Sequence, residues 1–147
     1  MGIKIEEVTN FEEAEEFFRK TRLNTFNEIF PPEVAAIARE TFGRKDYFFV
    51  ARQDENIIGA MKFSITGKVG QLDAIAVPYE FDEARKDMIR SRLLEKFLDV
   101  CRTCHRLFLW IPFQHKQAIK IYKKYGFREA LHAKKFWYEN DYILMVK

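Results

Sequence analysis

Several groups of residues in this 147-residue chain have types and spacings that bear on chemistry. Cys101-Arg102-Thr103-Cys104-His105 fits C-x-x-C-H, the pattern of covalent haem attachment. With His115 it also supplies the donor number of a structural zinc site. The absence of an export signal argues against the first, and a single C-x-x-C without a second pair against the second. Cys101 also continues an apolar helical stripe, so the expectation is no metal and two free thiols in a reducing compartment. Lys134-Lys135-Phe136-Trp137-Tyr138 mixes cations and aromatics, which can stack on nucleobases. The same alternation packs simply on the two faces of a strand. Ala118 to Phe127 reads as a short helix with Ala118, Ile119 and Tyr122 on one face, a glycine stop at Gly126, and a new strand. Lys and Arg outnumber Asp and Glu ten to three from Cys101 to Lys147, against six to nine from Met1 to Arg44. A basic rear half suits an anionic ligand, either a phosphorylated cofactor or nucleic acid, although a solvated mixed surface also fits.

These residues need a scaffold, and its pattern is legible. Ile3 to Val8 alternates as a strand. Asn10 caps a helix from Phe11 to about Arg22, and Pro31-Pro32 opens a second through about Thr41. Three strands follow at Tyr47 to Arg52, Ile57 to Thr66 and Gln71 to Val77, with Gly59 marking a bulge or a close approach. Asp82 caps a long helix whose stripe is Phe81, Ala84, Met88, Ile89, Leu93, Phe97, Leu98 and Cys101. Arg106 to Ile111 is a strand, His115 to Tyr125 a helix, and Phe127 to Tyr138 with Tyr142 to Val146 a closing hairpin. The order βαα-βββ-αβα-ββ predicts one α+β domain over residues 1–147 with a mostly antiparallel sheet flanked by helices. With no apolar run near eighteen residues and no signal-peptide pattern, the chain is expected to be cytoplasmic, with no membrane partner.

The segment Ala118-Ile119-Lys120-Ile121-Tyr122-Lys123-Lys124-Tyr125-Gly126-Phe127 resembles the A-I-x-[LI]-Y-x-K-x-G-F signature of the GNAT superfamily of N-acetyltransferases. Ile57-Ile58-Gly59-Ala60, the strand Leu72 to Val77 and the hairpin Phe136 to Met145 resemble other parts of that family, and the element order matches along essentially the whole chain. The resemblance implies acetyl-CoA as co-substrate. It departs at the cofactor loop, where R/Q-x-x-G-x-G/A becomes Arg85-Lys86-Asp87-Met88-Ile89-Arg90, with Met88 and Arg90 in place of the glycines. Those glycines let backbone N–H groups reach a pyrophosphate. Two readings stay open. Arg85, Lys86 and Arg90 bind phosphate through their side chains, or coenzyme A binding has been lost and the fold serves as a binding or regulatory module.

The resemblance also implies roles. The backbone of Ile75, Ala76 and Val77 would polarise the thioester carbonyl. Tyr122 would return a proton to the leaving thiolate, with a phenol close in pKa to a thiol. The family's frequent strand glutamate is Gln71 here, so Asp73, two residues on and on the same side by alternation, becomes the candidate base or ammonium anchor. Ile89 and Ser91 at the helix start, and His115 and Ala118 at the next helix, complete the expected cofactor contacts. The acceptor, an amine on a small molecule or protein, would lie between the loop 24–32 and the closing hairpin, near Phe26, Phe30, Trp110 and Trp137. The fold is also compatible with a homodimer.

Overall fold

The structure is a computed structural model describing residues 2–9, 11–20, 43–137 and 139–147. Its strands are β1 (Lys4–Glu7), β2 (Lys45–Gln53), β3 (Asn56–Thr66), β4 (Val69–Ala76), β5 (Arg106–Pro112), β6 (Arg128–Trp137) and β7 (Asn140–Val146). Its described helices are α1 (Phe11–Lys20), α2 (Glu83–Val100) and α3 (Lys116–Lys124). The strands form one sheet in the order β1-β2-β3-β4-β5-β7-β6. Only β4 and β5 are parallel, joined by the α2 crossover; every other pair is antiparallel. The mixed, mostly antiparallel α+β architecture is therefore as the sequence pattern predicts. The cap at Asn10 and the helix expected from Pro31 to Thr41 lie outside the described residues.

Alternation along the strands divides the sheet into two faces. One carries Phe49, Met61, Phe63 and Leu72 and is covered by Ile89, Leu93, Leu94, Phe97 and Tyr122. The other carries Phe48, Val50, Ala60 and Ala76 and packs against Phe18 of α1. Phe63 joins sheet to helix: it stacks on Tyr47 at 4.9 Å and meets Phe97 edge-on at 5.0 Å. Leu93, Leu94 and Phe97 are fully buried, and each contributes about 2 kcal/mol by leaving water.

The spacing of β3 and α2 depends on Gly59. A Cβ there would stand 2.6 Å from Ile89 Cγ2, so even alanine would push the helix off the sheet. The register also slips here, from Ala51↔Gly59 to Arg52↔Ile57, so Gly59 adjoins a bulge as well as a close approach. Arg52 ties the front of the molecule together, bonding Glu6 of β1 and reaching Glu13 of α1 at 3.0 Å.

The inward stripe of α2 differs from the sequence expectation. Phe81 precedes the helix, and Ala84 and Met88 face solvent, while Leu94 is buried. The buried residues of the helix begin at Ile89. No described helix is long and apolar enough to cross a membrane.

Candidate functional site

Strands β4 and β5 separate partway along their length. Their register runs from Val69↔Arg106 to Leu72↔Leu109 and stops, so beyond Leu72 the β4 edge is no longer paired with β5. Ile75, Ala76 and Val77 follow this divergence. At the same point β4 carries an extra residue. Phe63 pairs with Leu72 and Lys62 with Ala74, leaving Asp73 as the bulge between them. A bulge re-aims a side chain that strict alternation would fix.

Asp73 is 2% exposed. Arg44 Nη2 stands 3.8 Å from its Oδ2, and that oxygen has no hydrogen-bond partner among the described residues. Arg44 turns its Nε to Asp46 at 3.0 Å. Burial raises the Asp73 carboxyl to about 7, against the pull of Lys62 and Arg44 and with a push from Asp46. Lys62 lies over the Phe48 ring, on the α1 face of the sheet. A carboxylate poised near neutrality and short of donors is suited to accept a proton or hold an ammonium group.

On the opposite face, α2 and α3 meet along a polar seam. Arg90 Nη1 bonds Asp87 Oδ1 at 3.3 Å, and Gln117 Nε2 of α3 bonds Asp87 Oδ2 at 2.9 Å. The Arg90 charge reaches both His115 and Tyr122. Partial loss of water and the Arg90 guanidinium hold the exposed His115 below its ordinary value, which favours neutral imidazole at pH 7.

Tyr122 is placed by the end of its helix. Gly126 N bonds Lys123 O and Phe127 N bonds Tyr122 O, both at 3.0 Å, the paired bonds of a Schellman stop. Gly126 supplies the required positive φ of 97°. The accompanying apolar contact is Tyr122 against Phe127, edge-on at 5.9 Å. Burial pushes the phenol to about 12, with Arg90 opposing. Proton transfer to a thiolate is therefore not balanced, as the unperturbed phenol had suggested. Its hydroxyl is instead a persistent hydrogen-bond donor.

The segment 85–90 is not a loop. Asp82 caps α2, its carboxylate accepting from Arg85 N at 2.8 Å, and Lys86 N bonds Asp82 O at 3.0 Å. The N–H groups of Arg85 and Lys86 are thus both taken by Asp82. Among the three cations of this segment, only the charge of Arg90 bears on His115 and Tyr122 among the described residues. Arg85 lies 3.8 Å over Phe81 and donates to Gln53 at 2.8 Å, and Lys86 pairs with Glu83 at 3.3 Å. Ile89 is fully buried against the sheet, Ser91 and Ala118 are half-buried, and Ala76 belongs to the α1-side core.

Trp110 stacks on Phe136 at 4.8 Å, and Phe136 lies 5.8 Å from Tyr142. Phe26, Phe30 and the Trp137 side chain lie outside the described residues. The sequence did not point to Arg44, Lys62, Asp87 or Gln117. The Asp87–Arg90 spacing signals an i,i+3 pair, but nothing in the sequence links Gln117 to it across α2 and α3.

The model of the acetyltransferase (GNAT) family matches residues 10–127. No curated protein matches the sequence at a significant level. Solved structures share the fold at low identity. An IAA acetyltransferase of Bacillus cereus is 16% identical with a TM-score of 0.75, over 99% of this chain and 98% of that one. Ard1 of Thermoplasma volcanium is 20% identical with a TM-score of 0.71, over 100% and 97%. An acetyltransferase of Salmonella typhimurium, solved with its cofactor acetyl-CoA, is 14% identical with a TM-score of 0.69, over 100% and 94%.

Proposed function

Since the chain belongs to the acetyltransferase (GNAT) family, we propose that it transfers an acetyl group from acetyl-CoA to an amine of a small molecule or protein. The observation that carries this reading is Asp73, a buried carboxylate at the bulge where β4 leaves β5, with an oxygen unbonded among the described residues. A stabilising ion pair would have been built with its lone pairs satisfied. A carboxylate held near neutrality is what deprotonation of an ammonium acceptor requires.

The thioester supplies an activated acyl carbon and a thiolate leaving group. The residues of this chain do the rest. Asp73 takes the proton that the acceptor nitrogen loses, with Arg44 and Lys62 limiting how high its pKa climbs. Where β4 has left β5 but still pairs with β3 through Ala76, a backbone N–H among Ile75 to Val77 that faces the β5 side would donate to the carbonyl oxygen as it gains charge. Tyr122 donates a hydrogen bond to the departing sulfur. Arg90 and His115 would hold the phosphate-bearing arm, and a guanidinium suits that task by its fork of donors. The structure solved with acetyl-CoA, alike in fold, supports a donor of this class.

A second reading has its own observation. In the first turn of α2 Asp82 takes the N–H groups of Arg85 and Lys86, and an acidic side chain, Asp87, occupies the seam with α3. That favours a GNAT-fold module with weak or absent catalysis. Calorimetry of the full chain with coenzyme A, followed by product detection with acetyl-CoA and a panel of amines, separates the two. Micromolar binding and acylated product are expected. Absence of heat and of a thermal shift at millimolar coenzyme A would remove the transferase.

A further inference from the structure

Every cation on the first two turns of α2 already has a partner from this chain: Arg85 has Gln53, Lys86 has Glu83, and Arg90 has Asp87. Asp87 differs from the other partners because it spans two helices. Its Oδ1 takes Arg90 and its Oδ2 takes Gln117, at 3.3 and 2.9 Å. Both groups are partly shielded, at 24% exposure for Arg90 and 30% for Asp87, so their attraction is less screened than on an open surface.

We propose that Asp87 is a positioning residue that sets the affinity of the α2–α3 seam for the phosphates of the acyl donor. It holds Arg90 and Gln117 in a closed arrangement that a phosphate must displace. The inference rests on the reading of this seam as the donor site. The physical argument is competition. Arg90 is the segment's one cation whose charge bears on Tyr122 and His115, and the N–H groups of Arg85 and Lys86 are already taken by Asp82. A phosphate arriving at Arg90 meets a carboxylate already there, and two anions at a few ångströms repel. Asp87 thus weakens ligands that carry phosphate and is indifferent to the neutral pantetheine arm. A donor site built this way needs more donor to load than the same site without the carboxylate.

The test titrates the full chain with coenzyme A and separately with pantetheine, which has no phosphate. Asp87→Asn is expected to bind coenzyme A about tenfold tighter, the scale of one charge-assisted bond. Its pantetheine affinity stays as in the original chain. Asp87→Glu, which keeps the charge, stays near the starting affinity, and adding Arg90→Ala to Asp87→Asn abolishes the gain. In turnover the change enters KM for the acyl donor and leaves kcat in place. Thermal melts verify that each variant is folded. Coenzyme A bound by the original chain but no tighter by Asp87→Asn overturns the proposal, as does equal tightening of both ligands. Coenzyme A bound by neither protein overturns the donor-site reading itself, and the proposal with it.

Discussion

The bulge at Asp73 and the seam around Asp87 each place a carboxylate near an arginine, yet they differ in almost every physical respect. Asp73 is enclosed, with its nearest guanidinium at 3.8 Å and one oxygen unbonded among the described residues. Asp87 is partly exposed and uses both oxygens, one on each of two helices. The first is costly to folding and therefore points to chemistry. The second is satisfied and local, and it engages one nitrogen of Arg90. A site whose polar groups are already paired behaves as a gate, and one left unpaired behaves as a reagent.

The largest expected effect breaks the first half of that contrast. Asp73→Asn should lower kcat by about a hundredfold or more, the range of a lost general base. The pH–rate profile of the original chain should rise through about 7 as Asp73 ionises, and the variant should lack that limb. Stability moves oppositely. The folded-state pKa of Asp73 is raised, so the native state binds more protons than the unfolded chain between the two values. The original chain therefore loses stability as pH climbs from about 4 to about 7. Melts at pH 8 should show Asp73→Asn more stable by up to about 4 kcal/mol, with the gap closing below pH 4. A variant that is less stable at pH 8 would reassign Asp73 as a structural ion-pair partner.

Tyr122→Phe probes the neighbourhood of the seam. It keeps the Phe127 contact and removes the hydroxyl, so turnover should fall about tenfold with coenzyme A affinity unchanged. Undiminished turnover would leave Tyr122 only its part in the helix stop. Asp82→Ala is the smallest change. Loss of the N-cap should destabilise the chain by about 1 kcal/mol. Tighter coenzyme A binding in that variant would show that freed donors at the α2 start can reach phosphate, contrary to a donor site built on Arg90 alone.

Much of this architecture was legible because it follows from short-range rules. The strands at Tyr47 to Arg52 and Ile57 to Thr66, the stop at Gly126 and the cap at Asp82 each depend on residues within a few positions. Tyr122 is singled out by the family signature that its segment resembles, although the tyrosine-to-glycine spacing also serves the Schellman contact with Phe127. Where the rule reached further, it failed. Met88 fits the expected helical stripe of α2, yet it is exposed, and Leu94 is buried instead. The unperturbed pKa of Tyr122 told nothing of the burial that raises it to about 12.

By itself the sequence determined the element order, the helix boundaries at Asp82 and Gly126, and the absence of glycines between Arg85 and Arg90. Those are written in local preferences for caps, turns and alternation. Only the tertiary structure decided that Asp73 stands in a bulge beside Arg44 and Lys62, that Gly59 lets Ile89 reach the sheet, and that Asp87 is shared between Arg90 and Gln117. Each depends on segments far apart in the chain meeting at a fixed distance. That distance, with the water it excludes, sets charge, reactivity and access.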